Sequence, residues 1–219
     1  MRYINCGFER KMIKLLFTGV LLQVLCSFAT QKVKTTLYYE SLCPGCHEFI
    51  KDQLVPTWKN MSDYMLVELV PYGNAQRNYS GGHWHFKCQH GVLECEENLI
   101  HACAVDLLQS RETNKLLNFI NCMVFHSDLE LHKKTSWCIK NAEIPERKII
   151  ACVGGPKAES LILSMAEKTE SVTPDWLGVP TVQINGVYNP NEQEEIVDNL
   201  KSIICKYLGN PQPDICNQV

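Results

Sequence analysis

Val33-Lys34-Thr35-Thr36-Leu37-Tyr38-Tyr39-Glu40-Ser41-Leu42-Cys43-Pro44-Gly45-Cys46-His47 passes from β-branched and aromatic residues into a turn that carries two cysteines. Val33 to Tyr39 has strand composition, and Ser41-Leu42-Cys43-Pro44 ends it. A helix is expected next, because Phe49, Ile50, Leu54 and Trp58 have helical spacing. Pro56 should kink that helix or shorten its last turn. Met65 to Val70, closed by Pro71 and Gly73, then reads as a short buried strand. The outcome is a strand, helix, strand unit with Cys-x-x-Cys at its first bend.

Paired cysteines at a helix start suit thiol chemistry. Disulfide reduction needs a thiolate to attack and a second thiol close enough to resolve the mixed disulfide. Cys43 is the candidate nucleophile, because unpaired N–H groups and the positive dipole end at a helix N-terminus stabilise a negative sulfur. Cys46, one turn further in, is the candidate resolving thiol. Pro44 gives up only an N–H that would be unpaired there, and Gly45 leaves the sulfurs open to a bulky substrate. His47, if protonated, would favour the thiolate; it could equally point into solvent. Two other readings of the motif are half of a zinc site and a structural disulfide. Zinc would need a second pair, for which only Cys88 with His90 offers itself, and no metal site is expected.

From about residue 73 to 172 the chain reads as a mostly helical insertion. Leu99, Ala102, Cys103 and Leu107, then Leu161, Ile162 and Met165, have helical spacing, and Pro156 suits the first turn of the last helix. His83-Trp84-His85 could share one side of a strand, but without a further ligand it reads as an aromatic-rich loop rather than a metal site. Strand pattern returns at Val179-Pro180-Thr181-Val182-Gln183-Ile184. Asn185-Gly186 is a strong hairpin signal, with Val187-Tyr188 on the return. A closing helix follows, with Ile196, Val197, Leu200, Ile203, Ile204 and Tyr207 on one face, and then a proline-containing tail. This order of elements is similar to the thioredoxin-like fold. In that fold the proline heading the third core strand is cis and packs beside the cysteine pair, which gives Val179 and Pro180 the role of receiving the substrate chain.

Composition agrees with an exported globular protein. The 219 residues are 45% apolar, enough for a real core, and the net charge of −3 without a basic run excludes a nucleic-acid partner. Residues 1–29 read as a signal peptide: Arg10, Lys11 and Lys14 precede the apolar run Leu15 to Leu25, and Ser27-Phe28-Ala29 offers small residues for cleavage. That run is well short of the roughly 20 residues of a spanning helix, so no membrane anchor is expected. Of twelve cysteines, Cys6 and Cys26 fall in the leader. An export route favours disulfides among the other ten. Asn60-Met61-Ser62 and Asn78-Tyr79-Ser80 are glycosylation sequons in stretches that read as loops, making Asn60 and Asn78 candidate acceptors.

Cys88-Gln89-His90-Gly91-Val92-Leu93-Glu94-Cys95-Glu96-Glu97-Asn98-Leu99-Ile100-His101-Ala102-Cys103 resembles, without departure, the CQHGxxECxxNxxxxC signature of the gamma-interferon-inducible lysosomal thiol reductase (GILT) family. Together with the Cys-x-x-Cys upstream and Val179-Pro180-Thr181 downstream, the resemblance covers nearly all of the chain after the leader. It implies an α/β, thioredoxin-like fold over residues 30–219, with a helical, disulfide-linked insertion between the second strand and the cis-proline strand. It also implies a paired-cysteine active site reducing protein disulfides in endosomes and lysosomes at acid pH. Cys88, Cys95 and Cys103 look like disulfide partners, while Gln89, His90 and Asn98 are either hydrogen-bonded structural residues or part of a substrate groove. The eight cysteines outside the motif (Cys88, Cys95, Cys103, Cys122, Cys138, Cys152, Cys205 and Cys216) allow 105 pairings, and all stay open.

The expected partners are disulfide-bonded protein substrates and a small-thiol reductant, with no cofactor. The compartment is the lysosome or endosome, or the extracellular space. The tail from about residue 209 to 219 is a candidate for trimming. Acid pH makes a demand: a thiol of pKa about 8.5 is only about one part in ten thousand thiolate near pH 4.5, so Cys43 must be acidified. The main alternative is a secreted glycoprotein of the same fold, acting in binding or immune interaction with its Cys-x-x-Cys locked as a disulfide. An oxidase or isomerase of the endoplasmic reticulum is a further alternative, but Asn217-Gln218-Val219 is no retention signal.

Overall fold

Strand β1, Val33–Tyr39, buries every residue except Lys34, as a strand covered on both faces must. The computed structural model describes residues 32–109, 111–172 and 178–218; the expected signal peptide lies outside them. Helix α1 (Pro44–Glu48) continues through a π-helical stretch, Phe49–Leu54, into α2 (Val55–Met61). In that stretch the Val55 N–H reaches back to the Ile50 carbonyl. The wider turn accommodates Pro56, which has no N–H and whose ring would crowd a regular α-helical turn, so the expected kink takes the form of a change in helical register.

Strand β2, Met65–Pro71, pairs parallel with β1 from Val33↔Met65 to Tyr39↔Pro71. Two strands follow that the sequence reading did not anticipate: β3 (Gln76–Ser80) and β4 (His83–Lys87), paired antiparallel. The stretch read as an aromatic-rich loop is therefore a hairpin. Gly81 and Gly82, both at positive φ (60° and 84°), make the tight turn. Tyr79 lies opposite Trp84 with ring centroids 5.2 Å apart. Neither sequon lies in a loop: Asn60 is in α2, where its Nδ2 donates to the Pro56 carbonyl at 3.0 Å, and Asn78 is in β3. Both side chains are exposed.

Five helices complete the insertion: α3 (Val92–Leu108), α4 (Thr113–Phe125), α5 (Leu131–Asn141), α6 (Glu146–Val153) and α7 (Ala158–Glu170). Pro156 stands in the turn ahead of α7 rather than in its first turn. Disulfides close Cys88–Cys95 at the entry to α3, Cys103–Cys152 between α3 and α6, and Cys122–Cys138 between α4 and α5. Among the described residues no single helix is long and apolar enough to cross a membrane.

Strand β5, Thr181–Ile184, returns to the sheet antiparallel to β1, giving the order β2-β1-β5. Asn185 and Gly186 form the expected turn at positive φ (53° and 78°). The return strand, however, is one bridging residue, Val187 opposite Ile184. Pro190 soon opens a 3₁₀ turn and has no N–H to extend a ladder. The closing helix is likewise two: α8 (Gln193–Asp198) and α9 (Leu200–Leu208). Asn199 (φ −149°, ψ 72°) breaks the helix and caps α9 by accepting the Ser202 N–H. Gln53 bridges the break, donating to the Asp198 carbonyl and accepting the Leu200 N–H. The Cys205–Cys216 disulfide fastens the tail to α9.

Candidate active site

Cys43 caps α1. Its backbone is extended (φ −72°, ψ 121°), and its Sγ accepts the Cys46 N–H at 3.3 Å. The pull to 13-atom helical geometry begins at once, with the His47 N–H bonding the Cys43 carbonyl at 3.0 Å. Cys43 is 8% exposed and Cys46 fully buried, and both are free thiols while the other eight described cysteines are paired. A hydrogen bond from the Cys46 thiol, against the cost of burial, and another from the Cys46 N–H bring the Cys43 thiol down to about 7. Burial, followed by the hydrogen bond and charge shared with Cys43, pushes Cys46 far up. The pair is thus split into a more acidic thiol, 8% exposed, and a fully buried reluctant one.

The fold brings Val179 and Pro180 to this pair. Their peptide bond is cis, and the Val179 carbonyl lies 3.9 Å from Cys43 Sγ. A Cβ built on Gly45 would stand 3.5 Å from Pro180 Cδ, an ordinary contact. His47 does not simply point into solvent. Its Nε2 donates to the Ser41 carbonyl at 2.6 Å and braces the turn, and burial lowers its pKa.

Behind the motif lies a cluster that the sequence reading did not assign. Glu40, fully buried, accepts the Asn74 N–H at 2.6 Å. Its other oxygen is 3.4 Å from His90 Nδ1, which in turn stands 2.5 Å from Glu94. Burial holds the Glu40 carboxyl above the ordinary carboxylate range; the Asn74 N–H opposes the rise, Glu94 adds to it and His90 works against it. Gly73 makes the arrangement possible: its φ is +61°, and a Cβ there would come within 2.3 Å of Glu40 Cγ.

The signature residues fasten this corner. Asn98 Oδ1 accepts the Ser41 N–H at 2.9 Å, the Ser41 hydroxyl donates to the Glu94 carbonyl at 3.3 Å, and Gln89 accepts from Asn74 Nδ2 at 2.7 Å. Glu40, His90 and Glu94 place three potential metal-ligating atoms within 4.8 Å. His90 Nδ1 and Glu94 Oε2 are at hydrogen-bond distance, whereas Glu40 Oε2, 3.4 Å from the same ring nitrogen, makes no hydrogen bond. Cys88, considered above as a zinc ligand with His90, is bonded to Cys95.

A second buried layer sits deeper. Tyr39 Oη is 3.2 Å from His101 Nδ1, and Lys134 Nζ is 2.7 Å from Glu97 Oε2. Burial drives His101 down to about 3, so it is a neutral core histidine.

A helix-capping thiol made acidic by its own partner, beside a cis-proline on the adjoining strand, belongs to the thiol-disulfide oxidoreductases of the thioredoxin fold. The fold is shared with the oxidoreductase DsbA from Xylella fastidiosa, at a TM-score of 0.50 and 14% identity over 82% of this chain and 88% of that one. Residues 34–142 match the family model for gamma interferon inducible lysosomal thiol reductase (GILT). The chain is 36% identical over 203 residues to the gamma-interferon-inducible lysosomal thiol reductase of Carassius auratus, covering 91% of this chain and 78% of that protein. With its counterpart in Mus musculus it is 37% identical over 192 residues, covering 85% and 73%. The chain belongs to the GILT family.

Proposed function

We propose that this chain reduces disulfide bonds in protein substrates at acid pH, with Cys43 attacking and Cys46 resolving. The observation that carries this is the asymmetry of the pair: one free thiol near the surface with a lowered pKa, its partner buried with a raised one. The Cys43 thiolate forms a bond to one substrate sulfur; the substrate S–S bond breaks, and its second sulfur leaves with the electron pair and takes up a proton. Bonded to substrate, Cys43 no longer carries the charge that helps hold Cys46 protonated. Cys46 then loses its proton, attacks Cys43 and expels the remaining substrate sulfur. The substrate gains two electrons and two protons, and the chain is left with a Cys43–Cys46 disulfide, which a small dithiol or two small thiols return to thiols. Val179 and Pro180 offer backbone beside Cys43 for the substrate chain.

The relatives named above as lysosomal thiol reductases support a lysosomal, endosomal or extracellular setting. In that setting residues 1–29 serve as a removed leader, and exposed Asn60 and Asn78 carry glycans. Trimming of the tail would have to respect the Cys205–Cys216 tether. Reduction of a denatured, disulfide-bonded protein by the purified chain at pH 4.5 and pH 7 tests the reading. Cys43-dependent reduction at pH 4.5 is expected; none at either pH would favour a binding protein with an idle thiol pair.

A further inference from the structure

A groove of about 680 Å³ opens between α3, α5 and α6, and one of its lining residues is Leu42, the neighbour of Cys43. Its floor is apolar and well packed: Ile100, Ile139 and Ile149 are buried there. Its mouth is apolar and unpacked: Leu93 is 58% exposed, Leu129 42% and Ile150 62%. Large apolar side chains grouped around a concave surface mark a place where another chain is bound. Its rim carries exposed Glu96, Glu130 and Glu146, of which Glu130 stands 3.5 Å from Lys133 Nζ, and exposed His132 lines it too. The one lysine in the groove, Lys134, is buried and paired with Glu97 at 2.7 Å. A smaller cavity of about 320 Å³, on the other side of α3 against the Cys88–Cys95 bridge, touches no residue of the 41–47 turn.

We propose that this groove holds the segment of substrate polypeptide that flanks the disulfide under attack: an extended, apolar stretch with basic side chains. The inference rests on the reductase reading and deepens it by naming the substrate class. Leu42 lines the groove and Cys43 is the next residue in the chain, so a substrate segment lying in the groove would have its disulfide on the side of Cys43. Only an unfolded substrate can offer apolar side chains in extended form. Glu96 and Glu146 on the rim favour lysine and arginine beside them and disfavour acidic segments. The occupant is thus set by the insertion, whereas the thiol pair is blind to sequence.

The test compares two disulfides. For the wild type and a Leu129→Glu/Ile150→Glu variant, kcat/KM is measured on a denatured, disulfide-bonded protein and on bis(2-hydroxyethyl) disulfide, which has no chain to dock. The ratio of the first to the second should fall at least tenfold in the variant, through KM for the protein. The milder Leu129→Ser/Ile150→Ser variant should move it the same way by less, which guards against a misfolded charge variant. An unchanged ratio would overturn the proposal. Should the wild type reduce neither disulfide, the reductase reading fails and the groove is judged by binding alone. A fluorescent, cysteine-free peptide rich in leucine and arginine should then bind the variant at least tenfold more weakly than the wild type, and equal binding would overturn the groove.

Discussion

Asn98, on helix α3 of the insertion, accepts the backbone N–H of Ser41 at 2.9 Å, two residues before Cys43. Through this bond, and through Glu94 and His90 against Glu40, the signature stretch acts on the cysteine pair although it contributes no reacting atom. The insertion is therefore part of how the active-site turn is held.

Removing that acceptor strands a buried donor. Asn98→Ala should cost about 1–3 kcal/mol, which for a chain of this size lowers the thermal midpoint by several degrees. Reductase activity per folded molecule should fall with it. A melting curve identical to wild type would show that the bond does not hold the turn.

Cys43 acidity should respond to its charged neighbours in opposite directions. The Glu40 carboxylate opposes the thiolate and His90 favours it. Glu40→Gln should therefore move the midpoint of iodoacetamide alkylation below about 7, and His90→Ala should move it above. The sign matters at acid pH. With a midpoint of about 7, roughly one Cys43 in 300 is thiolate at pH 4.5. As pH falls, Glu40 protonates earlier than an ordinary carboxylate and its repulsion disappears. The alkylation profile should thus fall less steeply towards low pH than a single titration. Equal midpoints in all three proteins would contradict this coupling.

Two glycines should behave differently. Gly73→Ala places a Cβ at positive φ and 2.3 Å from Glu40 Cγ, and should destabilise by more than about 1 kcal/mol. Gly45→Ala meets Pro180 at 3.5 Å, an ordinary contact, so it should melt no lower than wild type while slowing reduction of bulky disulfides. Thermal denaturation with activity on a protein and a small disulfide separates the two.

The disulfides should rank by the loop they close. Cys103–Cys152 spans 49 residues and Cys88–Cys95 spans 7. Chain entropy assigns about 4 kcal/mol to the first and about 2 kcal/mol to the second. Paired Cys→Ala variants in chemical denaturation give the comparison, and a larger loss for Cys88→Ala/Cys95→Ala would contradict the ranking.

The strand, Cys-x-x-Cys, helix, strand unit was legible because its signals are local: β-branched run, turn, helical spacing. The cis-proline strand could be aligned with it by order alone. Glu40 was not legible, since a single glutamate after a strand reads as a solvated charge and its partners His90 and Glu94 arrive some fifty residues later. The β3–β4 hairpin was hidden by polar flanks, although Gly81-Gly82 was a turn signal of the right length. Asn199 breaks the last helix without interrupting its apolar spacing, because Gln53 supplies from outside the bonds that the break removes. Disulfide pairing depends on which helices meet, and spacing along the chain does not carry that.

The central claim is that Cys43 attacks and Cys46 resolves. It is tested most directly by incubating Cys46→Ser and Cys43→Ser with a denatured, disulfide-bonded protein at pH 4.5 and looking for the covalent complex by non-reducing electrophoresis and mass spectrometry. Cys46→Ser should accumulate a mixed disulfide through Cys43, and Cys43→Ser should form none and reduce nothing. Unchanged reduction by Cys43→Ser would contradict the account.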